Sequence, residues 1–195
     1  MSAEYQLKLP LIELEQADEE ARQVLEKAKA QVGFIPNMYS AMANAPALLD
    51  TYLYGYEHFR KNSEFSAVEQ EVVFLIISRE NGCNYCMAAH SMLADKQSGV
   101  PEEVTDAIRN YQPVADKKLA ALVRFTGNMV ETRGRPSQKN VEDFLLAGYN
   151  ERHILDIILA QAVKTISNYS NHVFHTPVDE MFSHRAWNDK QASAA

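Results

Sequence analysis

Residues 71–90 read Glu-Val-Val-Phe-Leu-Ile-Ile-Ser-Arg-Glu-Asn-Gly-Cys-Asn-Tyr-Cys-Met-Ala-Ala-His. They hold the only two cysteines of the chain, Cys83 and Cys86, with His90 four residues beyond the second and Glu71 twelve before the first. Ser66 followed by Glu69 forms a capping-box pattern, so a helix is expected to start there and run to about Glu80. Its run from Val72 to Ile77 is apolar nearly all round, which predicts a central, buried helix. Asn81-Gly82 breaks it, and a second helix is expected from about Cys83 to near Gly99. A hairpin folded at that break would carry Glu71 back towards His90.

The chemistry follows from the spacing. Cys83 in the first turn of a helix would lie near unpaired backbone N–H groups and the positive end of the helix dipole, which favours thiolate. Cys86, three residues on, shares its face, so the two sulfurs can close a disulfide. His90, one turn further, can take the Cys86 proton. Glu71 would be costly to bury alone and needs a partner, and burial should raise its pKa towards the range of a general base.

Outward from this stretch the pattern is helical throughout. Asp18 caps a helix to about Lys29, closed by Gly33, and Pro36 and Pro46 each open another. Further helices are expected over about 101–110, 115–132, 137–148 and 151–175. The fold class is therefore all-α: a helical bundle in a single domain, with the Cys-x-x-Cys pair on a central hairpin. Residues 1–15 read as an N-terminal arm, 16–186 as the helical domain and 187–195 as a flexible tail. Few glycines, seven in 195 residues, fit helices better than sheets.

A net charge of −7 disfavours nucleic acid and anionic lipid as partners. No apolar run is long enough for a membrane span, and the first residues lack a secretory pattern, so the cytoplasm is expected. There a close cysteine pair reads as redox-active or metal-binding rather than as a structural disulfide. A zinc site is the non-enzymatic rival, with His172 and His175 as the second half of its ligand set. Asn168, Asn171, His172 and His175 form a polar stripe that lines a pocket or faces a neighbouring subunit. His58, His153 and His184 read as structural, and Tyr52, Tyr54, Tyr56 and Phe59 as core or interface. Phe34 and Met38 are candidates for an apolar pocket wall.

The pattern Glu71…Ser78…Cys83-x-Tyr85-Cys86-x-x-x-His90 resembles the core motif of the alkylhydroperoxidase AhpD family, within the carboxymuconolactone decarboxylase-like proteins. Val32-Gly33-Phe34-Ile35-Pro36-Asn37 and the Asn171-His172 region are similar to its peroxidase-related subgroup. The resemblance implies an all-helical homo-oligomer (dimer, trimer or hexamer) with thiol-dependent peroxidase activity and a role against oxidative stress. Carried over by position, Cys86 attacks the peroxide, Cys83 resolves it to a disulfide, and His90 with Glu71 relays the proton. Family members can carry a histidine where this chain has Tyr85, so either the relay is weaker or Tyr85 donates a hydrogen bond instead. Ser78, Tyr85 and His172 are further pocket or relay candidates. The implied partners are an organic or hydrogen peroxide and a dithiol reductant, lipoyl or thioredoxin-like, attacking an exposed Cys83. No cofactor and no metal is expected. A thiol-disulfide reductase or redox sensor is the alternative use of the same pair.

Overall fold

The computed structural model describes residues 4–188. Among them lie nine α-helices and no strand: α1 Glu19–Val32, α2 Asn37–Met42, α3 Pro46–Asn62, α4 Ala67–Glu80, α5 Asn84–Leu93, α6 Glu102–Arg109, α7 Lys117–Glu131, α8 Gln138–Leu146 and α9 Glu151–Phe174. The all-α reading holds. Local chemistry sets most of the boundaries. Asp18, Asp116 and Ser137 each accept a backbone N–H at the start of α1, α7 and α8. Ser66 and Glu69 cap α4 reciprocally, and Asn150 with His153 does the same for α9.

The all-round apolar character of α4 has the expected outcome: every residue from Glu69 to Ser78 is buried. It packs against α7, α5, α9 and α6, so it forms the axis of the bundle. Phe74 on α4 meets Phe59 on α3 with ring centroids 4.6 Å apart. At Gly55 on α3 an added Cβ would come within 2.8 Å of the Val163 side chain on α9. Glycine there lets α3 and α9 close over the site.

The stretch before α1 lies along the body. The Leu7 N–H bonds to the Val173 carbonyl at 2.8 Å, the Ile12 N–H to the Ser40 carbonyl at 3.0 Å, and the Asn44 side chain to the Pro10 carbonyl at 2.7 Å.

Two helical segments differ from expectation. The helix from the cysteines is α-helical only to Leu93 and continues to Gly99 as a π turn, Ala94–Ser98, where Asp95 is held by Arg185 at 2.9 Å. A 3-10 helix, Glu180–Arg185, follows α9. It is too short to show a period, yet it buries Phe182 against Phe34 and Tyr85. The tail expected to be flexible from 187 begins with a buried Trp187, whose indole N–H donates to the Arg109 carbonyl at 2.9 Å. Residues 1–3 of the arm and 189–195 of the tail lie outside the described residues.

Candidate active site

The hairpin forms at Asn81-Gly82, with Gly82 at φ +66°, a left-handed conformation that glycine adopts without strain. The Cys83 N–H bonds to the Ser78 carbonyl at 2.9 Å, which fixes the reversal. Cys83 is the residue before α5, and Cys86 sits in its first turn. The fold-back places Glu71 Oε2 2.9 Å from His90 Nδ1. Glu71, Cys83, Cys86 and His90 are all buried, at 0, 0, 2 and 4 % exposure.

One face of α9 closes over the sulfurs. The Asn171 amide donates to Cys86 Sγ at 3.4 Å and reaches Cys83 Sγ at 3.8 Å, and the Ser167 hydroxyl lies 3.9 Å from Cys86 Sγ. One turn earlier, Lys164 is fully buried, with Nζ 5.5 Å from the Phe74 ring centroid and no hydrogen-bond partner. Burial alone would raise the Cys86 pKa. The Cys83 S–H donating to it, and the positive charge of Lys164, outweigh burial and hold Cys86 well below the ordinary thiol value. Cys83 moves the other way, raised by burial and by the neighbouring Cys86 sulfur. Helix position had favoured thiolate, and exposure, at Cys83. The structure reverses both expectations: Cys83 is buried in the bundle, and its S–H bond to Cys86, reinforced by the Lys164 charge, places the thiolate on Cys86.

Glu71 requires a second correction. Burial acts to raise its pKa, but His90 and the Arg60 guanidinium bring it down to about 2. Arg60 pairs directly with Glu71, bonds to the Tyr56 hydroxyl at 2.9 Å and stacks 4.8 Å from the Phe74 ring centroid. Glu71 is therefore a fixed anion rather than a base. His90 is lowered by burial and by Lys164, with Glu71 opposing, so its imidazole is neutral at neutral pH. A carboxylate only accepts, so Nδ1 must carry the proton and Nε2 is left as the basic nitrogen.

The two sulfurs belong to the walls of different cavities. The first, about 430 Å³, is lined by Cys86 and His90 together with Phe34, Met38, Tyr39, Tyr52, Tyr56 and Phe182. Burial pushes the hydroxyls of Tyr39, Tyr52 and Tyr56 up, so they stay protonated. The second, about 450 Å³, is lined by Cys83, Asn171, His172, His175, Thr176 and Trp187 among others. Tyr85 lines both and stands between them, its hydroxyl donating to Asp179.

The other sequence candidates divide. Tyr85 lies at the site. Ser78 holds the hairpin through its carbonyl but lines neither cavity, and its hydroxyl donates to the Phe74 carbonyl at 2.7 Å. His172 lines the second cavity, stacked on Tyr169. The zinc set Cys83, Cys86, His172 and His175 does not converge: among the described residues no group of three or more His, Cys, Asp or Glu is arranged to hold a metal ion. Sequence reasoning missed Arg60, Lys164 and Asn171's double contact, and it assigned Tyr52 and Tyr56 away from the pocket they line. Lys164 left one signal, a lone basic residue in the apolar run Ile154–Ile166.

Comparison with known proteins follows this geometry. The carboxymuconolactone decarboxylase family model covers α3 to the middle of α7, including Glu71, both cysteines and His90. Residues 46–126 match that family. The family stretch ends before α9, so Lys164, Ser167 and Asn171 lie beyond it. Among solved structures the chain is similar to an uncharacterised peroxidase-related protein from Ralstonia eutropha JMP134, described as an alkylhydroperoxidase AhpD core. Its TM-score is 0.78 at 19 % identity, covering 92 % of this chain and 96 % of that one. A second peroxidase-related protein, from Silicibacter sp. TM1040, gives 0.74 at 20 % identity over 91 % and 93 % of the two chains. The debrominase Bmp8, solved with 2,3,4-tribromopyrrole, gives 0.70 at 15 % identity over 86 % and 89 %. No curated protein matches the sequence. The AhpD-like fold is thus shown, and at these identities the likeness speaks for fold.

Proposed function

We propose that the chain is a thiol-dependent peroxidase that cycles Cys83 and Cys86 between dithiol and disulfide. The observation that carries this reading is the placing of Cys86, the lowered thiol, in the wall of the first cavity beside His90. The Cys86 thiolate attacks the nearer peroxide oxygen, the O–O bond breaks, and the departing alkoxide takes up a proton relayed through His90. Cys86 is then a sulfenic acid. The Cys83 thiol attacks it, a disulfide forms and water leaves. Glu71 orients His90, and Lys164 holds the thiolate charge. The aromatic, 430 Å³ cavity supports an organic peroxide better than hydrogen peroxide.

Cys86→Ser is expected to abolish peroxide consumption in the presence of dithiothreitol, and Cys83→Ser to stop after about one oxidation per chain. A Cys86→Ser protein with full activity would sink the reading. The same cavity favours one rival, reductive removal of bromine from a small aromatic, since Bmp8 is a debrominase of this fold. Bromide release measured beside peroxide consumption separates the two, and dithiol–disulfide exchange without either would indicate a reductase or redox sensor. We extend the proposal to a homo-oligomer, supported by the exposed Leu155 and Ile158 one turn apart on α9. Light scattering of the purified protein tests it.

A further inference from the structure

Breaking an O–O bond puts negative charge on the departing oxygen. In a cavity walled mainly by aromatic and apolar side chains, that charge needs a hydrogen-bond donor already in place. His90 does not offer one at the outset, because its Nδ1 proton is committed to Glu71 Oε2 and its neutral ring carries none on Nε2. Tyr85 is committed as well, its hydroxyl donating to Asp179. Gln31 and Gln97 are solvent-exposed. The rest of the polar lining is phenolic: Tyr39 on α2, with Tyr52 and Tyr56 one turn apart on α3.

Tyr56 differs from the other two. Its oxygen accepts from the Arg60 guanidinium at 2.9 Å, so its own proton is turned away from that cation. It is only partly buried, whereas Tyr39 and Tyr52 are 5 and 2 % exposed. Burial raises all three phenols, and Arg60 opposes it most at Tyr56, by charge and by the hydrogen bond. A phenol polarised by a cation is the stronger donor. The same guanidinium pairs with Glu71, which holds His90. Arg60 is thus the common anchor of Tyr56 and, through Glu71, of the imidazole in the same cavity wall.

We propose that Tyr56 is a catalytic residue of the peroxide step, its hydroxyl holding the distal oxygen of the hydroperoxide as the O–O bond breaks. The inference rests on the peroxidase reading, with Cys86 as the nucleophile. An electron pair of the Cys86 thiolate forms the bond to the terminal oxygen, which keeps its hydrogen. The O–O pair leaves on the distal oxygen, against the Tyr56 O–H. A proton from the medium, equal to the one Cys86 released on ionising, reaches that oxygen through His90, and the alcohol departs. The sulfur loses two electrons and becomes a sulfenic acid, the peroxide is reduced to alcohol, and Tyr56 ends as it began. Charge holding and proton delivery are therefore divided between Tyr56 and His90. The donor matters most for an alkyl hydroperoxide, whose leaving alkoxide is strongly basic. It matters least for a peroxycarboxylic acid, whose carboxylate leaves unaided.

The leaving group supplies the test. Reduced protein is mixed in single turnover with cumene hydroperoxide or with perbenzoic acid, two aromatic oxidants with different leaving groups, and thiol loss is followed. Tyr56→Phe removes only the hydroxyl and keeps the ring stacked on Phe74. It is expected to slow oxidation by cumene hydroperoxide about a hundredfold and oxidation by perbenzoic acid far less. The thiolate absorbance of Cys86 should titrate in this variant as in the wild type. Tyr39→Phe and Tyr52→Phe should lose less and depend less on the leaving group. A merely structural hydroxyl would slow both oxidants alike. Equal slowing, no slowing, or the leaving-group signature at Tyr39→Phe instead overturns the inference and leaves the peroxidase reading standing. If neither oxidant reacts at Cys86 of the wild type, the peroxidase reading falls and the inference falls with it.

Discussion

Helices α4 and α9 are both central, both largely apolar, and each buries one charged side chain next to the sulfurs. Their charges are handled in opposite ways. Glu71 on α4 is gripped on one oxygen by Arg60 and on the other by His90, so its charge is balanced in every state of the site. Lys164 on α9 has no hydrogen-bond partner, and the groups it acts on are Cys86 and His90. A permanently paired charge is architecture. On the proposed dithiol–disulfide cycle, a charge whose counter-ion is the Cys86 sulfur is part of the chemistry, since that counter-ion would disappear whenever the sulfur is oxidised.

The comparison breaks most visibly at Arg60. Arg60→Ala leaves Glu71 unpaired on one side inside the bundle, and chemical denaturation should show a loss of about 3–5 kcal/mol. A loss below about 1 kcal/mol would mean that Glu71 is not held by Arg60.

Acid comes next. The folded pKa of Glu71, about 2, lies below its ordinary 4.5, so its stabilisation is complete above about pH 4.5 and is lost as the pH falls towards 2. The interval corresponds to about 3 kcal/mol. Melting curves of the wild type should fall through this window, whereas Glu71→Gln should start less stable and run flatter across it. Parallel curves would remove Glu71 from the account.

The smallest effect on stability should come from Lys164→Met. Replacing this buried cation with an apolar chain of similar length lets Cys86 become a neutral thiol, so the melting temperature is expected to stay unchanged or rise. The function should still suffer. Thiolate absorbance of Cys86 is expected to titrate about one pH unit or more higher than in the wild type, with peroxide oxidation slowed at neutral pH. An unshifted titration would make Lys164 mere packing.

The same two helices show what the sequence could convey. The reading of α4 and the hairpin rested on short-range chemistry: a cap three residues wide, an unbroken apolar run and an Asn-Gly break. All of it is visible within residues 66–90, and it correctly brought Glu71 to His90. The charge states were not visible. Arg60 looked like an ordinary basic residue in a helix's last turn, and Lys164 lies 78 positions from Cys86, a pairing that no local pattern reports. For that reason helix position was expected to favour thiolate at Cys83, although the resemblance had Cys86 attack, and burial was expected to raise Glu71 towards a general base. The tyrosines of α3 were assigned to core or interface because nothing local distinguishes a pocket wall from a core.

The Asn171 amide spans 85 and 88 residues of sequence to reach the two sulfurs. Contacts of that separation close late in folding, after the local hairpin can already have formed. Until α9 docks, Cys86 lacks Lys164, and both thiols have only the modest reactivity of cysteines in an open chain. On the proposed reading the attacking sulfur is switched on when α9 docks, so competence for the chemistry and closure of this core are one event.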